Sequence, residues 1–180
     1  MGETAASFLA PWSSFYVMTG SSAAALTGLM FVVITLVKGT ERLQSNHDGI
    51  ATFSTPTVMH FSAALFVSAV LNVPWHSLIQ TAALIGFVGL FGIVYLVRVT
   101  YLTKRLTVYT PDLEDWTFYT VLPFVGYGAI FASALALPAV PVKALFALAG
   151  GVILLIFLGI RNAWDVVTYI TIGGPTQPPR

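Results

Sequence analysis

Cysteine is absent from all 180 residues. That absence excludes disulfides, thiolate nucleophiles, iron–sulfur clusters and Cys-ligated zinc together. Charge is scarce as well: Asp, Glu, Lys and Arg make up 8% of the chain, against about a quarter of an ordinary soluble domain. The 8 Lys plus Arg and 7 Asp plus Glu nearly cancel to a net charge of +1. No basic face exists to hold nucleic acid or an acidic substrate, so nucleic acid is not an expected partner. The signatures of common catalytic sites are also missing: no Walker A loop, no GxGxxG, no HExxH and no GxSxG. No carboxylate lies within the apolar stretches to form an acid–base pair. The expectation is a non-enzymatic protein with no catalytic residues, no metal site and no indicated cofactor.

What is present is apolar. Hydrophobic residues are 57% of the chain and the mean hydropathy is +0.85, spread over stretches long enough to cross a hydrocarbon core, which takes about 20 helical residues. The start, Met1-Gly2-Glu3-Thr4, lacks the basic region of a signal peptide, and the apolar run after it is too long for one. The pattern predicts an all-α, polytopic transmembrane helical bundle of five spans in one membrane domain, residues 1–180. The first span covers about 12–37, opened by Pro11 and Trp12 and stopped at Lys38-Gly39. A polar connector, Gly39 to Gly49, precedes a second span at about 52–71, which carries Pro56 and His60. Asn72-Val73-Pro74-Trp75-His76 reads as a tight turn into a third span at about 77–101. A polar loop, Tyr109 to Asp115, places Asp112, Glu114 and Asp115 before a fourth span at about 116–137, where acids suit a helix N-terminus. The turn Pro138 to Pro141 leads to a fifth span at about 142–160, which continues over 161–172 as an interfacial amphipathic helix with Trp164, Val167 and Tyr169 as anchors, before a Pro-rich tail, 173–180. No internal repeat suggests an inverted-repeat transporter.

Orientation follows from Lys and Arg. In the five-span arrangement Lys38, Arg42, Arg98, Lys104, Arg105, Arg161 and Arg180 share one side, and only Lys143 lies on the other. This puts the N-terminus outside and the C-terminus in the cytoplasm.

Between apolar helices in lipid, association relies on small residues and interhelical hydrogen bonds. Gly20, Ala24 and Gly28 on the first span, and Gly86, Gly89 and Gly92 on the third, are the expected helix-packing positions, with Gly126, Ala129, Ala132 and Ala136 on the fourth and Gly150-Gly151 on the fifth. Ser14, Ser21, Gly28 and Thr35 recur every seven residues, at nearly one angular position down the first helix. Two readings fit that stripe: a pore lining, or a packing face. His60, near the middle of the second span, is the one intramembrane ionisable group there and is a functional-site hypothesis on that ground. It reads either as a proton relay, metal ligand or pocket marker, or as a neutral imidazole bonded to a neighbouring hydroxyl or carbonyl, with Thr57 as a local candidate. Its pairing with Met30 or Met59 is a weaker option, and His47 and His76 lie at opposite ends, too far to share one haem with it. At the cytoplasmic rim, Arg98 is placed to snorkel or to pair with Asp165, which is also within reach of Arg161. Asn72, Trp75 and His76 cluster at the outer interface, either as a shallow ligand site or as interface anchors.

Two segments together, Ser21 to Leu36 (SSAAALTGLMFVVITL) and Gly159 to Ile170 (GIRNAWDVVTYI), resemble a family of small, uncharacterised bacterial integral membrane proteins. Its members share a glycine-interrupted first span and an Asn-Ala-Trp-Asp element near the end. The resemblance implies an all-helical fold in a bacterial inner (plasma) membrane and brings no activity with it. It draws attention to Asn162 and Asp165 as capping, pairing or partner-contacting residues. The expected function is a component of a membrane assembly, a homo-oligomer or an accessory subunit. A small channel or transporter lined by the first span is the alternative, and a His60-dependent cofactor or quinone site a second one.

Overall fold

The structure, a computed structural model, describes residues 5–38, 47–103 and 116–172. Those residues are helical throughout, apart from short turns. A short helix α1 (Ala5–Leu9) and a 3-10 turn (Ala10–Trp12) run into α2 (Ser13–Lys38). Then follow α3 (His47–Leu71), α4 (Leu78–Thr103), a single π-helical turn (Thr117–Val121) leading into α5 (Leu122–Ala136), and α6 (Pro141–Ile172). Arg42, Lys104, Arg105, Asp112, Glu114, Asp115 and residues 173–180 lie outside the described residues.

Among the described residues, four helical stretches are long and apolar enough to cross a membrane: Ala5–Thr35, Leu78–Tyr101, Thr117–Ala136 and Pro141–Asp165. α3 contributes a further, shorter apolar stretch among the described residues, Thr55–Leu71. Two helix boundaries differ from the span limits expected from sequence. The helix of the second span begins at His47 rather than near 52, taking in part of the expected connector. The chain is already helical from Ala5, ahead of Trp12. Residues 161–172 continue the fifth helix, and α6 runs unbroken for 32 residues, because nothing between Ile160 and Ile172 is a glycine or proline and a fall in hydropathy alone does not end a helix.

The joints are local. After α3, Asn72 N–H donates to the Ala69 carbonyl at 3.1 Å and the Trp75 indole N–H to the Val70 carbonyl at 2.6 Å, closing the helix end. Ser77 Oγ accepts from the Ile79 N–H at 3.3 Å and caps α4. The π turn ends one residue short of Pro123. Proline has no N–H to offer a helical carbonyl and crowds the preceding turn, so a widened turn there accommodates it.

Sequence order is not packing order. In space α2 lies on α3, α3 on α6, α6 on α5, and α5 on α4. The α3–α4 hairpin partners touch each other far less than either touches its other neighbour. The fully buried side chains include Tyr16, Phe61, Ile85, Tyr127, Ile130, Leu148 and Leu155. Glycines set the close approaches: a Cβ on Gly89 would lie 2.7 Å from the Phe131 backbone N, one on Gly126 2.9 Å from Leu155, one on Gly151 3.0 Å from the Gly126 carbonyl oxygen. The outside is as apolar as the inside, with Met18, Leu29, Phe31, Ile79, Phe87, Phe146, Phe157 and others exposed. A helix that is hydrophobic all round belongs in a large core or a membrane.

Candidate functional site

His60, 1% exposed, projects from α3 into the middle of the bundle. Its Nδ1 lies 3.1 Å from the hydroxyl of Tyr127 on α5, also 1% exposed, with the rings 5.6 Å apart and tilted by 50°. One of the pair donates and the other accepts, set by the imidazole tautomer. The Tyr127 ring rests directly on the backbone of α4 at Gly92, where any Cβ would overlap it. Phe61, the next residue on α3, occupies the corresponding notch at Gly159 of α6. Two glycines therefore seat two aromatic rings, and the His60–Tyr127 bond ties α3 to α5, backed by α4. The bond to Tyr127 spans 67 residues of sequence.

Beside this pair, α3 and α4 part to leave a groove open to the outside of the bundle, lined by Met59, Ser62, Phe66, Phe87, Phe91 and Tyr127 among others. Its volume is about 210 Å³ and its lining is almost wholly apolar. Phe87 and Phe91 are stacked, with ring centroids 6.2 Å apart.

Two further polar layers join α3 to α2. Thr19 Oγ1 and Ser68 Oγ are 3.1 Å apart in a buried contact beside Gly20, where a Cβ would lie 2.9 Å from the Ser68 Cβ. Ser13 Oγ donates to Asn72 Oδ1 at 3.2 Å, and Asn72 Nδ2 donates to the Ser68 carbonyl at 2.8 Å. Asn72 and Trp75 are thus occupied in closing the hairpin, while His76 is exposed. The layers at Thr19 and Ser68 were missed in the sequence, although Thr57, His60, Ser68 and Asn72 recur on one side of α3 at helical spacing.

The stripe Ser14, Ser21, Gly28 and Thr35 lies apart from all of this, on the exposed side of α2. The buried side of that helix is Tyr16, Thr19, Gly20, Ala23 and Met30. Nothing lies within 4 Å of a Cβ on Gly28, and Thr35 Oγ1 donates to its own helix, to the Phe31 carbonyl at 2.8 Å. Ala24 is exposed with the stripe, whereas Gly20 packs inside. Gly86, Gly89 and Gly92 all face α5, meeting Ala134, Phe131 and Tyr127.

At the other end, Arg98 is exposed. Asp165 is met by Arg161, whose Nε is 3.9 Å from its Oδ2, and by the Tyr119 hydroxyl, which donates to the same oxygen at 3.3 Å. The Arg161 guanidinium also sits 3.6 Å over the Phe118 ring. Asn162 is 1% exposed, and neither atom of its amide has a partner among the described residues. Among the described residues no group of three His, Asp or Glu side chains is placed to hold a metal. No family model, curated protein or solved structure matches this chain. What the arrangement can do therefore rests on its own geometry: an internally hydrogen-bonded bundle with an uncovered small-residue face on α2 and a lateral groove between α3 and α4.

Proposed function

We propose that the chain is a non-enzymatic integral membrane component that self-associates through the outer face of α2. In this reading it crosses the bilayer five times with the N-terminus outside and the C-terminus in the cytoplasm, and the resemblance noted above supports a bacterial inner membrane. The observation that carries this reading is the division of small residues. Gly20, Gly86, Gly89, Gly92, Gly126 and Gly151 are all taken up by contacts within the chain. Ser14, Ser21, Ala24, Gly28 and Thr35 are not, and they form a continuous exposed face on one helix. Small and hydroxyl residues let helix backbones approach closely in lipid, where a larger apolar side chain would be equally content facing acyl chains. α3 completes the count of five: its 25 residues reach about 37 Å at helical rise, and α2 and α6 cover the polar groups that weaken it as a lone span.

A channel is the second reading, favoured by the hydroxyls of the same face. Within one chain that face lines no interior path, so conduction would require a ring of copies with α2 innermost. Native mass spectrometry of the protein extracted in its own lipids, with liposome flux on the same preparation, tests both. A closed homo-oligomer that dissociates in Gly28→Leu, a substitution with open space inside the protomer, is the expected result. Flux through that oligomer, lost in Thr35→Leu with assembly intact, would promote the channel. A monomer without companions would overturn self-association.

A further inference from the structure

The side chain of Asn162 is buried with its hydrogen-bonding capacity unanswered, and we infer that its amide binds an enclosed water molecule shared between α6 and α3. The site goes beyond the self-association proposed above and does not depend on it. Asn162 is 1% exposed, yet neither its Oδ1 nor its Nδ2 meets a hydrogen-bonding partner among the described residues. A buried amide with neither atom satisfied carries the desolvation penalty of both. In native proteins such groups are answered by protein or by ordered water.

The register of the helices places the amide. Ser13 at the start of α2 bonds to Asn72 just past the end of α3, and Trp12 packs on Phe146 near the start of α6, with ring centroids 4.8 Å apart. The start of α6 therefore lies at the same end of the bundle as the end of α3, and the two helices run antiparallel. Gly159 of α6 seats Phe61 of α3, and Leu155, one turn earlier, abuts Gly126 of α5. Asn162 lies one turn beyond Gly159 and two turns beyond Leu155, so it continues the same buried stripe into the junction of α3, α5 and α6. One turn back from Phe61 on α3, in the same direction along the bundle, stands Thr57, which is fully buried.

Size, charge and polarity together select water as the occupant. Asn162 and Thr57 are both closed off from the outside, which admits a molecule of about 30 Å³ and not an organic ligand. The site is neutral. Asp165, the acid nearest in sequence, is already held by Arg161 and by the Tyr119 hydroxyl, so an ion beside Asn162 would be buried without a counter-charge, at high cost. The amide presents an acceptor on one side and donors on the other, and a single water answers both by donating to Oδ1 and accepting from Nδ2. The Thr57 hydroxyl supplies a third polar atom, within the range of about two to four partners that a buried water takes. A hydroxyl can accept from the water even while it donates within its own helix. One turn of α6 thereby grips two neighbours: Arg161 and Asp165 hold Phe118 and Tyr119 at the start of α5, and Asn162 holds α3 through the water.

The test is water-edited solid-state NMR of the full chain in lipid bilayers. Arg161-Asn162 is the one Arg-Asn pair in the sequence and Leu71-Asn72 the one Leu-Asn pair. Isotope-labelled asparagine combined with carbonyl-labelled arginine, and in a second sample with carbonyl-labelled leucine, therefore assigns both amides in the unaltered protein. The expected result is magnetisation transfer from water to the Asn162 Nδ2 protons that persists when a soluble gadolinium chelate quenches bulk water, while transfer to the exposed Asn72 is lost. Thr57→Val should weaken the Asn162 transfer about fivefold, the loss of one neutral hydrogen bond, and Thr57→Ser should retain it. Absence of transfer to Asn162 would overturn the water site, because the amide is then dry or bound by protein. Transfer quenched by the chelate together with that of Asn72 would overturn the enclosure. An undiminished signal in Thr57→Val would overturn the sharing with α3.

Discussion

Two glycines, Gly89 on α4 and Gly28 on α2, give the sharpest test of the packing. At Gly89 an added Cβ falls 2.7 Å from the Phe131 backbone N and 2.8 Å from its Cα and Cβ. Optimal carbon contacts lie near 3.5–4.0 Å, so the overlap approaches 1 Å, and it is against backbone, which no rotamer change relieves. Gly89→Ala therefore forces α4 and α5 apart along a contact that also carries Gly86 on Ala134 and Gly92 on Tyr127. Overpacking of this kind costs roughly 1–3 kcal/mol, with an offset of up to about 1 kcal/mol from the better helix propensity of alanine. A net loss of about 1–2 kcal/mol is expected, a fall of roughly 5-fold to 30-fold in the folded-to-unfolded ratio. Gly28→Ala is the matched control. It makes the same chemical change in the same kind of helix with nothing within 4 Å of the new carbon, so monomer stability should be unchanged or rise slightly. Reversible unfolding by SDS titration in mixed micelles, followed by circular dichroism, measures both. Equal stability of the two variants would refute the assignment of Gly89 to the α4–α5 contact.

Two other outcomes follow. Tyr127→Phe leaves His60 buried without its partner, a loss of about 1–3 kcal/mol; in the same unfolding assay, adding His60→Phe should recover part of that loss, and strict additivity would argue against the bond. Because the chain lacks cysteine, single replacements report topology cleanly: Ala139→Cys in intact cells should react with a membrane-impermeant maleimide and Trp164→Cys should react only after permeabilisation, and the reverse pattern would invert the proposed orientation.

Much of the fold is legible in the sequence because hydropathy and turn chemistry are local. The hairpin at Asn72 to Ser77 is visible in its Pro, Trp and Ser. The limits are of one kind: periodicity shows that a face exists and not what it meets. Gly20 and Gly28 are only about 80° apart around α2, yet one presses on Ser68 and the other meets nothing. Which of them is internal depends on where α3 lies. The partner of His60 was out of reach for the same reason. Thr57 is one turn away, whereas Tyr127 becomes a neighbour only through the order in which five helices stack. The helix start at His47 was hidden by Gly49, which reads as a stop in isolation but sits here in the first turn of α3, where a missing side chain costs little.

The 67-residue separation of His60 from Tyr127 also carries a clock. Synthesis proceeds at about 5–20 residues per second, so roughly 3–13 s pass between the making of the imidazole and the making of the phenol that satisfies it. Ser68 suffers no such delay, since Thr19 on α2 is already made. The half of α3 that carries Ser68 can thus be fastened to its predecessor at once, while the half that holds His60 waits for α5. The order of its hydrogen-bond partners makes α3 a helix that is completed in two stages.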